Sequence, residues 1–551
     1  MIKTALTIFV CLLLSVYAQC QTIGLIQENS AEDGYELFAP IKADTTYLID
    51  KCGRLIHQWA SPNNPGMSVY LLPNGSLLRS ANVPNANFRG NGEQGGAIEI
   101  YDWNNNLTWS YTISSDTQTQ NHDIYPLANG NILVVIWEAI DSSVAIAAGR
   151  NPALLTSVLF SAKIEEIQPV GTNQANIVWQ WRLWDHLIQD FDASKSNYGV
   201  VADHPELVDL NYTFMPGAQK DWIHPNAITY NPEFDQIILS AHNLSEIWIL
   251  DHSTTTTQAI SHSGGTYGHG GDLLYRWGNP QVYGAGTSAD EVFYTQHNPT
   301  WIPAGYPHAG SIIIFNNGQG RPGGNSSSVD IFSPPADSAG NYPMLTSGQA
   351  YGPTSEMFSY QGTPIFYSDV MGSAQMLTDG NIVVCYATAG NFFEIDSNKN
   401  VLWRYINPVN ADTILTQGAM PADNSCFRCT QYDPSYVGFT GDSLTPMGHI
   451  EKNPILTACD SSTLNAINEV NGIKDVDIYP NPATDKVTVV LNSGNTFVSY
   501  QVLDMLGQMV KNGGGQNSSF DISLAGLGSG LYIVTIGSGN QQVQKKIVVN
   551  Q

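Results

Sequence analysis

Between Asp221 and Arg321 the chain gathers residue types that hold and transfer small anions. The stretch opens with Asp221-Trp222-Ile223-His224-Pro225-Asn226 and reaches Gln296-His297-Asn298-Pro299. It ends at Phe315-Asn316-Asn317-Gly318-Gln319-Gly320-Arg321. Histidine, arginine and asparagine stand here beside turn residues and short apolar runs, as catalytic side chains do on loops held by rigid strands. An imidazole titrates near neutrality and can take or give a proton. A guanidinium offers a planar fork of donors. His224, His297 and Arg321 are therefore expected in one pocket that handles a small tetrahedral oxyanion. His122, beside Asp123, is a further candidate, and Asp123 or Asp221 suits the task of fixing an imidazole tautomer. The run Gly264-Gly265…Gly268…Gly270-Gly271 is not a phosphate loop, because it has no lysine and no helix follows. His186, His204, His242, His252, His262, His269 and His308 read as loop residues without the tight spacing of metal ligands, so no metal site is expected.

Strands must hold these residues in place. From Thr46 onward a unit recurs: a strand carrying Asp, a turn, and a second strand ending in Trp. Its copies run Tyr47 to Trp59, Ile98 to Trp109 and Phe392 to Trp403. A second signal joins Asn74-Gly75, Asn129-Gly130 or Asp379-Gly380 to an apolar strand, and these dipeptides supply the positive φ of tight hairpins. All 12 Trp fall between Trp59 and Trp403, consistent with repeated packing between sheets. Hairpins recurring at roughly 50–70 residues signal a β-propeller, with six blades the preferred count. Arg182 to Met215 and Gly318 to Tyr360 read as long loop excursions. Past Cys459 the composition shifts. Residues 473–551 contain no Trp, Cys, His or Arg and alternate apolar with polar residues, the pattern of an antiparallel sandwich of about seven strands. The expected fold class is all-β. A six-bladed β-propeller spans residues 21–459, a linker 460–472, and a small immunoglobulin-like β-sandwich 473–551.

Charge narrows the partners. The net charge is −26, and the tail balances five Lys against five Asp, so the acidity belongs to the body. Such a surface argues against nucleic acid, whose phosphates need clustered Lys and Arg. An anionic ligand would need a local pocket of Arg, His and backbone N–H groups. Residues 1–20 read as a signal peptide: Lys3, the apolar run Ala5 to Val16, then small residues. That run is too short to span a bilayer comfortably, and no other stretch reads as a transmembrane segment. Outside the cytoplasm, disulfides among Cys426, Cys429 and Cys459 are expected.

Two resemblances sharpen this picture. Val476-Asp477-Ile478-Tyr479-Pro480-Asn481-Pro482, Asp504-Met505-Leu506-Gly507-Gln508 and Gly530-Leu531-Tyr532-Ile533-Val534 resemble the type A C-terminal sorting domain of type IX secretion cargo in Bacteroidetes. That resemblance implies export across the outer membrane through residues 473–551, then release or attachment at the cell surface. The body, roughly Tyr47 to Glu451, resembles the bacterial aryl-sulfate sulfotransferase family. The matching pieces are Asn121-His122-Asp123, Trp222-Ile223-His224-Pro225-Asn226, Gln296-His297, Phe315-Asn316-Asn317-Gly318…Arg321, Gly372-Ser373-Ala374-Gln375 and Phe393-Glu394-Ile395-Asp396…Trp403.

The family resemblance implies a propeller that moves a sulfuryl group from a phenyl sulfate ester to a phenol, through a histidine and without a nucleotide donor or other cofactor. It implies catalytic roles for His224, His297 and Arg321; His122 stands beside them as a further catalytic candidate, and Asn226, Asn317 and Gln375 as candidate substrate contacts. It also implies a nucleophilic histidine in the next blade. There the chain reads Gly372-Ser373-Ala374-Gln375, with no histidine until His449. The alternative is a non-catalytic surface propeller that binds sulfated or phenolic ligands. A quinone-dependent dehydrogenase propeller lacks its vicinal cysteines and tryptophan-docking repeats.

Overall fold

The Asp–turn–Trp hairpins and the Asn-Gly turns belong to the same sheets, at opposite ends of a repeating four-strand meander. The computed structural model describes residues 21–88, 95–213, 217, 219–457, 459–460, 476–491, 497–504, 509–538 and 541–550. The expected signal peptide lies outside these residues, as does the expected linker apart from Asp460. The chain divides into two compact units, 1–455 and 456–551.

The first unit is a six-bladed propeller. Blade 1 comprises Pro65–Leu71, Leu77–Asn82, Gly96–Tyr101 and Leu107–Thr112. Blade 2 comprises Gln118–Pro126, Ile132–Asp141, Val158–Val170 and Gln174–Arg182. Blade 3 runs through Pro225–Asn231, Gln236–Ala241, Glu246–Asp251 and Tyr275–Trp277. Blade 4 is built from His297–Trp301, Ile312–Asn316, Ser328–Phe332 and Phe358–Tyr360. Blade 5 is Ser373–Met376, Ile382–Tyr386, Asn391–Ile395 and Val401–Ile406, with Gly24–Glu28 added to its outer edge. Blade 6 joins the two ends of the unit, since its inner strand Cys426–Tyr432 pairs with Tyr35–Pro40, followed by Thr45–Asp50 and Leu55–Ala60. The first-named strand of each blade packs against its counterparts in both neighbouring blades, which closes the ring.

The repeated tryptophans join one blade to the next. Each stands on an outer strand, buries its ring between sheets and donates its Nε1–H across the gap. Trp59 of blade 6 donates to the Asp102 carbonyl of blade 1 at 3.0 Å, and Trp109 of blade 1 donates to Gln174 of blade 2 at 2.9 Å. Trp179 reaches Thr254 Oγ1 of blade 3 at 3.1 Å, and Trp277 reaches the Pro353 carbonyl of blade 4 at 2.9 Å. Trp403 of blade 5 donates to the Lys51 carbonyl of blade 6 at 2.7 Å. The aspartates of the repeat cap the intervening turns. Asp102 accepts from the Asn106 backbone at 2.8 Å, and Asp396 does the same for Asn400 at 2.8 Å.

Two expectations need correction. Gly318 to Tyr360 is not wholly a loop excursion, because the third strand of blade 4 and its edge strand lie inside it, separated by Gly- and Pro-rich connections that mask their alternation. The expected bridging of Cys426 and Cys429 does not occur. Both are free and buried on the inner strand of blade 6, as is Cys385, whereas Cys52 and Cys459 are disulfide-bonded.

The second unit is a two-sheet sandwich. Val476–Tyr479, Lys486–Leu491 and Ser519–Ser523 form one sheet. Met509–Gln516, Phe497–Leu503, Gly530–Ser538 and Gln541–Val549 form the other. Val487, Val489, Val502, Ile522, Val534 and Ile547 fill its core, in keeping with the alternation of the sequence.

Trp403→Ala should lower stability by about 3–5 kcal/mol, since a fully buried ring is lost. Trp403→Phe, which mainly removes the interblade hydrogen bond, should cost only about 1 kcal/mol. Urea midpoints at constant m-value check both.

Candidate active site

Inner strands of propeller blades alternate side chains between neighbouring sheets, so a residue points into the axis only where the strand is bent. Five of the six inner strands carry a register irregularity, the exception being that of blade 5. Non-glycine residues sit at positive φ at the same level of the ring: His122 at 49°, His224 at 51°, Asn298 at 52° and Met371 at 59°. Such conformations are costly for residues with a Cβ and cluster at functional sites. Here they bring imidazoles together at the axis.

Four histidines form a continuous chain. The rings of His122 and His224 are 4.6 Å apart, those of His224 and His242 4.9 Å, and those of His242 and His297 5.1 Å. Trp137 stands edge-on to the first two, with centroids at 6.2 and 5.9 Å. Phe427 closes the far side, 6.0 Å from His122 and 6.3 Å from His297.

Each imidazole is oriented through its Nδ1. His122 Nδ1 meets Asn121 Oδ1 at 2.8 Å, His242 Nδ1 meets Asn243 Oδ1 at 2.8 Å, and His297 Nδ1 meets Asn317 Oδ1 at 2.7 Å. His224 Nδ1 pairs with the Asp221 carboxylate. An amide or carboxylate oxygen only accepts, so each Nδ1 carries the hydrogen and each Nε2 is left to face other groups. The amides are fixed in turn by neighbouring backbone. Asn121 donates to the Pro225 carbonyl at 3.1 Å, and Asn317 donates to the Ser368 and Met371 carbonyls at 2.8 and 2.7 Å.

A buried ion pair lies beside the cluster. Arg428 grips Asp123 in a two-point pair at 3.0 and 2.6 Å. Asp123 also accepts the Ile228 N–H at 2.9 Å and lies 3.3 Å from the Tyr70 hydroxyl. One carboxylate thus connects blades 1, 2, 3 and 6. Arg428 also lines a cavity of about 190 Å³ further along the axis, with Tyr70, Tyr125, Trp301, Tyr306 and Gln375.

Burial sets the protonation of the site. It pushes His122 and His242 well below the ordinary imidazole range, with neighbouring imidazoles adding to the effect. His297 falls to about 3, chiefly through burial and partly offset by its bond to Asn317. These three are neutral imidazoles at physiological pH.

The residues expected from sequence divide as follows. His122, His224 and His297 meet, with Asp221 on His224, while Asp123 serves Arg428 and not an imidazole. Arg321 donates to Ser328 Oγ at 2.8 Å and lies over Tyr294 at 5.6 Å; no described contact joins it to the histidines. Asn317 orients His297. Asn226 donates to the Gln296 carbonyl at 2.9 Å and leaves a buried Oδ1 without a partner among the described residues. Gln375 is clamped to the Gln431 backbone at 2.9 and 2.8 Å. In blade 5, where the resemblance implied a histidine, the Met371 N–H donates to His297 Nε2 at 3.2 Å. His449 lies at the outer edge of blade 6, bridged to Arg54. The sequence reading missed His242, Arg428 and Phe427. The signal was an adjacency: His242-Asn243 mirrors Asn121-His122.

Fold and site together define a propeller with a histidine-lined axial centre. The arylsulfotransferase (ASST) family model matches residues 42–424, and the chain belongs to that family. The model of the secretion system C-terminal sorting domain matches residues 477–550, which marks the protein for the cell surface or for secretion. No helix among the described residues is long and apolar enough to cross a membrane. No curated protein matches the sequence. Solved structures of similar fold include a protein of unknown function from Bacteroides caccae, at 9% identity and TM-score 0.38, covering 73% of this chain and 99% of that one. A streptogramin B lyase matches at 12% identity and TM-score 0.33, covering 75% and 94%. Apo AztD from Citrobacter koseri matches at 7% identity and TM-score 0.32, covering 73% and 99%. These likenesses are too distant to bear on function.

The buried imidazoles predict acid sensitivity. Below the ordinary value of 6.5 the unfolded chain takes up protons that folded His297 refuses until about pH 3, so stability is full above 6.5 and lost as pH falls toward 3. For His297 the loss should reach about 2 kcal/mol at pH 5. Urea midpoints from pH 7 to 4.5 should fall steeply, and less steeply in His297→Gln.

Proposed function

We propose that the axial cluster transfers a sulfuryl group from a phenolic sulfate ester to a phenol, with no nucleotide donor, and that His242 Nε2 carries the group between them. One observation carries this reading: His242 Nε2 is buried without a hydrogen-bond partner among the described residues, between the rings of His224 and His297. Its Nδ1–H is committed to Asn243, so Nε2 presents a lone pair. A neutral imidazole with a free lone pair is the nucleophile this chemistry needs. His242 thereby fills the role that blade 5, with Met371, does not supply.

In the first step Nε2 of His242 forms a bond to sulfur and the bond from sulfur to the aryl oxygen breaks. The leaving phenolate takes a proton from His224, whose Nδ1 is backed by Asp221, the arrangement that steadies an imidazolium. In the second step the acceptor phenol returns a proton to His224, and its oxygen displaces His242 from sulfur. Arg428 balances the sulfuryl oxygens at short range, its Nε being buried and unpartnered among the described residues. The low charge density of a sulfate monoester suits a site with one paired guanidinium and neutral donors.

A second reading, a ligand-binding propeller without turnover, is favoured by Arg321, which is tied to Ser328 and so does not reach the cluster. Incubation with 4-nitrophenyl sulfate and a phenol acceptor separates the two. Catalysis predicts nitrophenol release that falls at least about a hundredfold in His242→Ala. Mass spectrometry of quenched enzyme should find the sulfated imidazole on the peptide containing His242. Saturable binding of the ester without release would instead establish the binding module, and a modified His224 or His297 peptide would reassign the acceptor.

The tail acts on location and not on chemistry. Deleting residues 473–551 should leave transfer activity in cell lysate while removing it from the medium and the cell surface, as fractionation of an expressing strain would show.

A further inference from the structure

We propose that His186, His262 and Asp272 form a zinc site, separate from the axial histidines. The three come from the connection after blade 2 and the long loop inside blade 3, too far apart in sequence to read as a ligand motif. Their donor atoms all lie within 4.8 Å of one another. His186 Nδ1 and His262 Nδ1 each stand 2.8 Å from the same oxygen, Asp272 Oδ1.

Hydrogen bookkeeping singles out this cluster. His186 Nε2 lies 2.8 Å from the Ala259 carbonyl, which can only accept, so the ring hydrogen sits on Nε2. The neutral ring then turns a bare Nδ1 lone pair toward a carboxylate oxygen, and a cation must sit between them. A metal ion bound to both is one such cation, and an Nε2–H given to a backbone carbonyl is the usual support of a metal-bound histidine.

The site is also built to stay in place. His186 is fully buried and stacks on Trp181 with centroids 5.8 Å apart and planes 1° from parallel. Trp181 donates to the Gly271 carbonyl at 2.7 Å, next to the ligand Asp272. Gly271 has no room for a side chain, since a Cβ there would lie 2.6 Å from His186 Nε2. His262 is different: its side chain is 62% exposed, yet its ring is turned onto Asp272.

Two imidazoles and one carboxylate are a borderline donor set that favours zinc over calcium or magnesium. Tetrahedral zinc at about 2.0–2.1 Å sets its donors about 3.3 Å apart, so on binding the Asp272 oxygen would stand about half an ångström further from each imidazole than the 2.8 Å seen here. A fourth position remains for water. It faces a cavity of about 400 Å³ lined by His204, Glu206 and His269 as well as His262 and Asp272. In this role the metal clamps the blade 3 loop to the connection beneath it.

The test uses the untagged full chain, stripped with EDTA and titrated with zinc chloride in a calorimeter, with bound metal counted by mass spectrometry. One zinc per chain is expected, with affinity at least about tenfold weaker in His262→Ala and in Asp272→Asn. X-ray absorption should show two imidazoles in the zinc shell. Zinc should raise the melting temperature of the parent chain but not of His262→Ala, whose exposed position spares the fold. The proposal fails if the stripped chain takes up no stoichiometric zinc. It fails equally if binding survives His262→Ala unchanged, or is lost in His242→Ala instead.

Discussion

The Asp123–Arg428 pair is the constraint on which the centre of this propeller depends. Six inner strands converge on the axis, and the polar groups buried there must satisfy one another. A buried guanidinium without its carboxylate, or the reverse, leaves an uncompensated charge, which is far costlier than the pair. Asp123 spends its remaining lone pairs on the Ile228 N–H and the Tyr70 hydroxyl, so correct pairing requires blades 1, 2, 3 and 6 to be in register together. Placing the pair also fixes His122 on one side of it and Phe427 on the other, both next to it in the chain. The geometry of the imidazole chain therefore follows from an electrostatic requirement at the axis.

Outward from the axis a different interaction repeats. Tryptophan indoles bury their rings between sheets and satisfy their single donor on the next blade, a double use suited to a residue with an apolar body and one polar edge. The two layers have separate duties. The outer layer fixes the angle between blades, and the inner layer uses that fixed angle to hold neutral imidazoles a ring's width apart.

Much of the fold was legible in the sequence because its signals are local. Asn74-Gly75, Asn129-Gly130 and Asp379-Gly380 each mark a turn between the first and second strands of a blade, and each Asp–turn–Trp unit is the outer hairpin of one. The site was legible only where a histidine lies on an inner strand or directly before one, as at His122, His224 and His297. His242 escaped because it enters from the turn between the second and third strands of blade 3, a place where loop histidines are ordinarily just solvated. Arg428 escaped because its partner is 305 residues away and its own neighbours, Cys426 and Cys429, drew the reading toward disulfides. Arg321 shows the converse error. Its glycine-flanked setting fits an anion site, but the nearer Ser328 hydroxyl captures it.

Blade 6 takes its axial strand from residues 426–432 and its other three from residues 35–60. The earliest strands of the chain thus wait, with one edge unpaired, for a segment made nearly four hundred residues later. Contacts so distant in sequence are slow to form, because loop closure must precede any gain from pairing. Until then the partly wound chain exposes strand edges to any neighbour. The sorting domain, residues 477–550, lies beyond the strand that seals the circle. The order of translation therefore presents the export address only after that closing strand has been made.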